Sequence, residues 1–228
     1  MNKSICIILA RGGSKRIPKK NIKLFHGKPI IEYSIIAAKK SGLFNEIIVS
    51  TDDKEIAEIA SKCGASVPFL RSKKNSDDYS TTYDVVEEVL NKYEDNYEYV
   101  CCLYACAPFV NENKLINAFD KLIKFNLDCV FPIMEFNFPI QRALKCNGNI
   151  VSFCNPEYSL VRSQDLDKSF HDAGQFYFLK TEQLLSEKKI ITSNSGYLLV
   201  DGMEGQDIDN FIDWKLAEIK YEILQSIK

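Results

Sequence analysis

Short apolar runs alternate along this chain with stretches whose apolar residues recur every third or fourth position. That is the pattern of a sheet wrapped by helices. Residues 4–10 predict a first strand, and a helix is predicted from Pro29 to Gly42 with Ile30, Ile31, Ile35 and Ala38 on one face. A second strand follows at 46–51. Asp52 or Asp53 then caps a helix striped by Ile56, Ile59, Ala60 and Cys63, and residues 67–70 read as a short third strand. Asp78, Ser80, Thr81 and Thr82 offer caps for a helix carrying Val85, Val86, Val89 and Leu90. Residues 99–105 are apolar throughout, as a central parallel strand would be. Asn111 or Asn113 opens a helix with Leu115, Phe119 and Leu122, and residues 127–134 give another strand. Strand signals return at 175–179 and 197–200, and a last helix over 210–226 carries Trp214, Ala217 and Tyr221.

Between about 136 and 174 this rhythm breaks. Asn137, Pro139, Asn147, Gly148, Asn155 and Pro156 cut the segment into pieces that suit hairpins rather than a βα unit. The expected architecture is one α/β domain over 1–228, Rossmann-like, its mostly parallel sheet flanked by helices. A small extension leaves it at about 136–174.

Composition narrows the class. With 29 Lys+Arg against 31 Asp+Glu the formal charge is -2, so no broad basic field recommends nucleic acid as a partner. The apolar run before Arg11 is too short for a secretory leader, and the longest uncharged apolar stretch, 100–110, falls short of the roughly 20 residues that span a bilayer. Eight cysteines lack C-x-x-C spacing, and Cys6, Cys101, Cys102, Cys129 and Cys154 sit in strand-like runs. The expectation is a soluble, cytoplasmic protein without membrane or nucleic-acid partners.

Charge is concentrated in one place. The first strand stops at Arg11, and Gly12, Gly13, Ser14, Lys15, Arg16, Lys19, Lys20 and Asn21 follow. Adjacent glycines let backbone N–H groups turn toward a ligand, and neighbouring cations supply what a polyphosphate needs. A solvated basic turn is the plainer alternative. The spelling excludes both the P-loop and the dinucleotide fingerprint. Near the other end, Asp207 and Asp209 are separated by one residue. In an extended segment they project to the same side, placed to share a magnesium ion bound to phosphates. Alternatively Asp209 simply caps the last helix.

Residues 10–21, A-R-G-G-S-K-x-I-P-x-K-N, resemble the opening signature of sugar-nucleotide transferases. The resemblance is narrower to the cytidylyltransferases that activate sialic acids and related nine-carbon 2-keto acids. It implies that Ala10, Arg11, Gly12, Gly13, Ser14, Lys15, Lys20 and Asn21 surround the triphosphate of CTP. Arg11, Lys20 and Asp209 would be catalytic, and Asp207 with Asp209 would hold magnesium. Arg71 would touch phosphate. Tyr104 stands where the sialic acid enzymes carry, in L-Q-P-T-S-P-L, a glutamine that touches the base. Arg142 and Arg162 would take the carboxylate of the sugar acid, although each alone reads equally as a solvated arginine. The irregular segment would form a homodimer.

One stretch departs from the sialic acid version. H-D-A-G-Q-F-Y at 171–177, with P-I-Q-R-A-L and R-S-Q-D-L, looks instead like the cytidylyltransferases for pseudaminic acid, with Gln175 and Tyr177 among the substrate contacts. The reaction so implied moves CMP from CTP to the anomeric hydroxyl of a nonulosonic acid and releases pyrophosphate. Legionaminic, N-acetylneuraminic and other keto sugar acids stay open as acceptors. A glycosyltransferase would place D-x-D mid-chain and lack R-G-G-S-K; a non-catalytic nucleotide-binding regulator would not need the paired carboxylates.

Overall fold

The computed structural model describes residues 3–77, 79–93 and 96–227. In β1 (Ser4–Leu9), Ile5 and Ile7 pack on one face and Cys6 and Ile8 on the other, all fully buried. A strand apolar on both faces needs helices on both. After a small ribbon of β2 (Leu24–Phe25) and β3 (Lys28–Pro29), α1 (Ile30–Ser41) runs back to β4 (Glu46–Ser50). The next helix, α2 (Lys54–Lys62), is capped by Asp53, which accepts from the Glu55 and Ile56 N–H groups at 2.7 and 3.1 Å. Then come α3 (Thr82–Lys92), β5 (Tyr99–Tyr104), α4 (Glu112–Lys124) and β6 (Cys129–Glu135). Thr81 caps α3 in a reciprocal pair with Asp84, and Asn111 caps α4. Asp78, another of the candidates for α3, lies outside the described residues.

The expected strand at 67–70 does not form. A single parallel bridge joins Ser66 to Ile48, and Pro68 has no N–H to offer the next rung.

Beyond β6 the chain leaves the sheet. It makes a free-standing hairpin, β7 (Leu144–Asn147) with β8 (Ile150–Phe153), and rejoins at β9 (Phe170–Asp172). β10 (Phe176–Lys180), α5 (Thr181–Glu187), β11 (Ser195–Leu199) and α6 (Phe211–Ser226) complete the order. The main path of the sheet is β11–β6–β10–β5–β1–β4, with β9 paired beside β6. β1, β4 and β5 are mutually parallel, as are β6 and β11, but β9 and β10 run antiparallel to their neighbours. The sheet is therefore mixed. A chain that returns from the far end of β6 without a crossover helix can only re-enter in the opposite direction. α5 escaped the periodicity reading because Leu184 is its one buried side chain.

One consequence places the site. β1 pairs with β4 on one edge and β5 on the other, so the loops leaving β1 and β5 diverge over their carboxyl ends. Open α/β sheets bind ligands at such a switch point. The last helix closes it: Trp214 and Ala217 of α6 pack with Ile17, Phe25, Ile30, Phe109 and Ile208. All eight cysteines are free thiols, and Cys146 and Cys154 are exposed in the excursion. No helix among the described residues is long and apolar enough to cross a membrane.

The start of α6 carries its own fastening. Asn210 accepts from the Ile212 and Asp213 N–H groups at 2.8 and 3.1 Å, and Asp213 accepts from the Asp209 and Asn210 N–H groups at 2.9 and 3.0 Å. Asn210→Ala is expected to cost about 1 kcal/mol. Thermal unfolding should then come about 2–4 °C lower; an unmoved midpoint would show that water replaces the cap.

Candidate active site

Hydrogen bonds that use none of its cationic side chains hold the basic loop. Buried Asn21 donates from Nδ2 to the Arg11 carbonyl at 2.8 Å, and its Oδ1 accepts from the Cys106 thiol at 3.2 Å, tying the loop to the turn after β5. Asp52 takes the Gly12 N–H at 2.8 Å, and the Gly12 carbonyl takes the Ser14 N–H at 2.9 Å. Of the two glycine N–H groups that the sequence reading gives to a phosphate nest, that of Gly12 is thus engaged by Asp52. A Cβ on Gly12 would sit 2.8 Å from Asp53 Cβ, whereas one on Gly13 would meet nothing within 4 Å. Close packing requires the first glycine but not the second.

With the loop so fastened, its charged side chains face a cleft of about 440 Å³. Arg11, Lys15, Arg16 and Lys20 all line it, with Ser14 and Asn21. Lys19 turns away to Glu55. The Lys20 ammonium donates to the Ile208 carbonyl at 2.7 Å, and Arg16 Nη2 lies 2.8 Å from Asp209 Oδ1. Ile208 itself is buried against α6, so Asp207 and Asp209 both line the cleft, on the same side of the segment. Asn210, not Asp209, caps the helix.

The third wall includes residues foreseen only as helix caps. Ser80, Thr81 and Thr82 at the start of α3 line the cleft, with Asn75 and Asp77 before them. Glu88 holds that loop, accepting from the Ser72 N–H at 2.9 Å and from Asn75 Nδ2 at 2.6 Å. Burial opposes its charge, but bonds from Lys92, Ser72 and Asn75 outweigh it and bring the carboxyl to about 2. Arg71 reaches the cleft from beneath, buried, with Nε donating to Ser50 Oγ at 3.0 Å. Burial lowers its affinity for a proton, and Asp52 and Glu88 oppose that. Tyr104 lines the cleft at the end of β5, its hydroxyl 3.2 Å from Thr82 Oγ1.

Other candidates stand apart. Ala10 is fully buried, its N–H on the Ser50 carbonyl at 3.1 Å. Neither it nor Gly12 nor Gly13 lines the cleft. Gln175 is buried and donates to the Glu204 carbonyl at 2.7 Å, while buried Tyr177 donates to Asp172. Both support the cleft from behind. Arg142, half-buried, bonds Ser163 Oγ at 3.2 Å and exposed Arg162 pairs with Asp165 at 2.8 Å, both in the excursion and neither lining the cleft of its own chain.

A cation-lined cleft at a switch point, with two carboxylates on one wall, suits a nucleoside triphosphate. A family model described as cytidylyltransferase matches residues 5–199. The chain belongs to that family. Over 225 residues, 97% of both chains, it is 45% identical to "Pseudaminic acid cytidylyltransferase" of Campylobacter jejuni subsp. jejuni strain 81-176. It is 32% identical to "CMP-N,N'-diacetyllegionaminic acid synthase" of Legionella pneumophila, with 97% of both chains covered. Among solved structures, a CMP:2-keto-3-deoxy-manno-octonic acid synthetase complexed with CTP aligns with TM-score 0.72 at 16% identity, covering 99% of this chain and 100% of that one, a likeness of fold.

In this cytidylyltransferase the acidic segment is strapped from three elements. Gln175, just before β10, holds the Glu204 carbonyl, Lys114 of α4 lies 3.4 Å from Glu204 Oε1, and Lys220 of α6 donates to the Gly202 and Gly205 carbonyls, each at 2.9 Å. Partial desolvation, and then the Asp209 charge, raise the Asp207 carboxyl above its usual range, against the pull of Lys20. Two mutually repelling carboxylates are the hard oxygen donors that magnesium takes, so the residues present fit that ion. Among the described residues no group of three or more His, Cys, Asp or Glu is placed to hold a metal, so further ligands would have to be oxygens of substrate or water.

The unequal glycines give a direct check. Gly12→Ala is expected to destabilise by about 1–3 kcal/mol through the clash at Asp53. Gly13→Ala should leave the unfolding midpoint in place. Equal midpoints for the two variants would refute the packing argument.

Proposed function

We propose that this cytidylyltransferase transfers CMP from CTP to the anomeric hydroxyl of pseudaminic acid, a nine-carbon 2-keto sugar acid, and releases pyrophosphate. The observation that carries the reaction is the convergence of Arg11, Lys15, Arg16 and Lys20 with Asp207 and Asp209 on one cleft. The acceptor is supported by the 45% identity to a relative named for pseudaminic acid, against 32% to one named for the legionaminic acid product. The anomeric oxygen attacks the α-phosphorus as the bond to pyrophosphate breaks. Cations fixed before the substrate arrives stabilise the charge that develops on the phosphates, and orientation supplies much of the remaining rate. Lys20, held against the Ile208 carbonyl, and Arg11 take the triphosphate. Asp207 and Asp209 would hold magnesium, which supplies charge neutralisation to the phosphates when bound.

The enzyme works as a homodimer in this reading. The excursion exposes Phe138 at 83% and Leu160 at 96%, an apolar surface that a second copy would cover. Arg142 and Arg162, remote from their own cleft, then serve the partner's sugar acid. The eight free thiols suit a reducing cytoplasm.

Pyrophosphate release from CTP, run with pseudaminic, legionaminic and N-acetylneuraminic acids in parallel, tests the assignment. Preference for pseudaminic acid supports it; turnover with only another acid keeps the reaction and discards the acceptor. Asp209→Asn is expected to lower turnover by roughly 100-fold at saturating magnesium, the scale seen when one charge-stabilising group is lost. Near-normal turnover would remove Asp209 from the centre. Mixing Arg162→Ala with Asp209→Asn subunits should restore about a quarter of wild-type activity, since half the dimers then carry one intact site. No recovery, or a wild type that sediments at 26.0 kDa, would defeat the shared site.

A further inference from the structure

The segment that leads into α3 is held so that one residue of the cleft has its polarity fixed. Glu88 of α3 takes four donors. Its Oε1 accepts from the Ser72 N–H at 2.9 Å and from Lys92 Nζ at 2.8 Å. Its Oε2 accepts from Ser72 Oγ at 2.8 Å and from Asn75 Nδ2 at 2.6 Å. Against burial, bonds from Lys92, Ser72 and Asn75 bring the carboxyl to about 2, so Glu88 stays ionised and only accepts. Asn75 Nδ2 also donates to the Asp84 carbonyl, at 3.1 Å.

Both partners of Nδ2 are acceptors, so the amide cannot turn end for end, and both of its protons are spent. Its oxygen has no hydrogen-bond partner among the described residues. Asn75 lines the cleft, so what its side chain offers a ligand there is an acceptor. The same segment reaches the cationic loop, because Arg11 Nη1 donates to the Asp77 carbonyl at 3.4 Å. It also lies away from the excursion. The Arg71 N–H bonds the Thr51 carbonyl just after the edge strand β4, whereas the excursion leaves and rejoins at β6 and β9. The group that Asn75 meets therefore belongs to the nucleotide rather than to the sugar acid.

We propose that Asn75 is a specificity residue whose amide oxygen accepts from the cytosine amino group, and that Glu88 is the positioning residue which fixes that polarity. The role rests on the nucleotidyl-transfer reading of the cleft. Cytosine presents an N–H donor at the ring position where uracil presents a carbonyl oxygen. An amide oxygen opposite uracil would set two acceptors against each other and leave one unsatisfied. The arrangement thus favours CTP partly by penalising UTP.

Glu88→Gln tests this with little change of shape. The new amide oxygen can still accept from the Ser72 N–H and Lys92. Its NH2 group faces Asn75 and draws the Asn75 oxygen inward, which leaves the Asn75 NH2 toward the cleft. Pyrophosphate release with CTP and with UTP reads the outcome as the ratio of the two KM values, which a general loosening of the segment would not move. The preference for CTP is expected to fall about 10-fold, the scale of one hydrogen bond, while the KM for the sugar acid stays in place. Asn75→Ala should also weaken the preference, and adding Glu88→Gln to it should change the ratio no further. Equal losses for the two nucleotides in Glu88→Gln, or additive effects in the double variant, would overturn the role while leaving the reaction intact. So would a wild type that uses UTP as well as CTP. If Glu88→Gln does not fold, Asn75→Ala decides alone: a wild-type preference there removes Asn75 from base recognition. A wild type that releases no pyrophosphate from CTP would overturn the reading of the cleft, and this role with it.

Discussion

Everything at the cleft depends on a clasp between the two ends of the chain. Ile17 of the basic loop and Ile208 of the acidic segment are both buried against Trp214, and Lys20 bonds the Ile208 carbonyl across a separation of 188 residues. The clasp is needed because the groups it gathers repel. Arg11, Lys15, Arg16 and Lys20 crowd one wall, and Asp207 and Asp209 crowd the other. Burying a branched apolar side chain contributes about 1.5–3 kcal/mol. Two such side chains are the right size to offset like-charge repulsion that water already screens.

Inside the loop the work is divided by polarity. Groups other than its cations close its hydrogen bonds: Asn21 to Arg11, Gly12 to Asp52, Cys106 to Asn21. Charged side chains are left for the cleft, and the cation that does not face it, Lys19, is matched by Glu55. A loop held by its charges would rearrange when a polyanion arrived. One held by hydrogen bonds that use none of those cations keeps them in place, which is what electrostatic preorganisation requires.

The parts legible in the sequence are those set by local physics. Continuous apolar runs located β1 and β5, and side-chain oxygens narrowed the caps of α2 and α4 to two residues each. The one-residue spacing of Asp207 and Asp209 put both on one side of their segment, with Ile208 turned inward. What stayed hidden depends on distant contacts. Nothing local distinguishes an antiparallel β10 from a parallel one, because its direction follows from where the excursion returns. Thr82 reads as a helix start, and only the approach of β5 makes it a cleft residue. Gln175 and Tyr177 read as substrate contacts from their motif, yet β10 lies between β5 and β6, which buries both. Pro68 was in plain view, and its missing N–H outweighed the apolar run around it.

That burial separates two functions that share one cleft. The groups facing the cation end come from loops after β1 and before α6, while Asp172 and Tyr177 come from the returning strands β9 and β10 and Gln175 from the turn between them. The turn between these strands lines the cleft at Gly174, Tyr177 packs against Tyr104, and Gln175 holds the Glu204 carbonyl. A substitution there can alter what the far end of the cleft accepts without moving a single cation. Relatives within this family are named for different acids, and a fold that keeps its cationic wall on one set of loops and packs the other end of the cleft against a separate strand pair can vary the second while keeping the first. The constraint runs one way only: the clasp at Ile17 and Ile208 must form for either wall to exist.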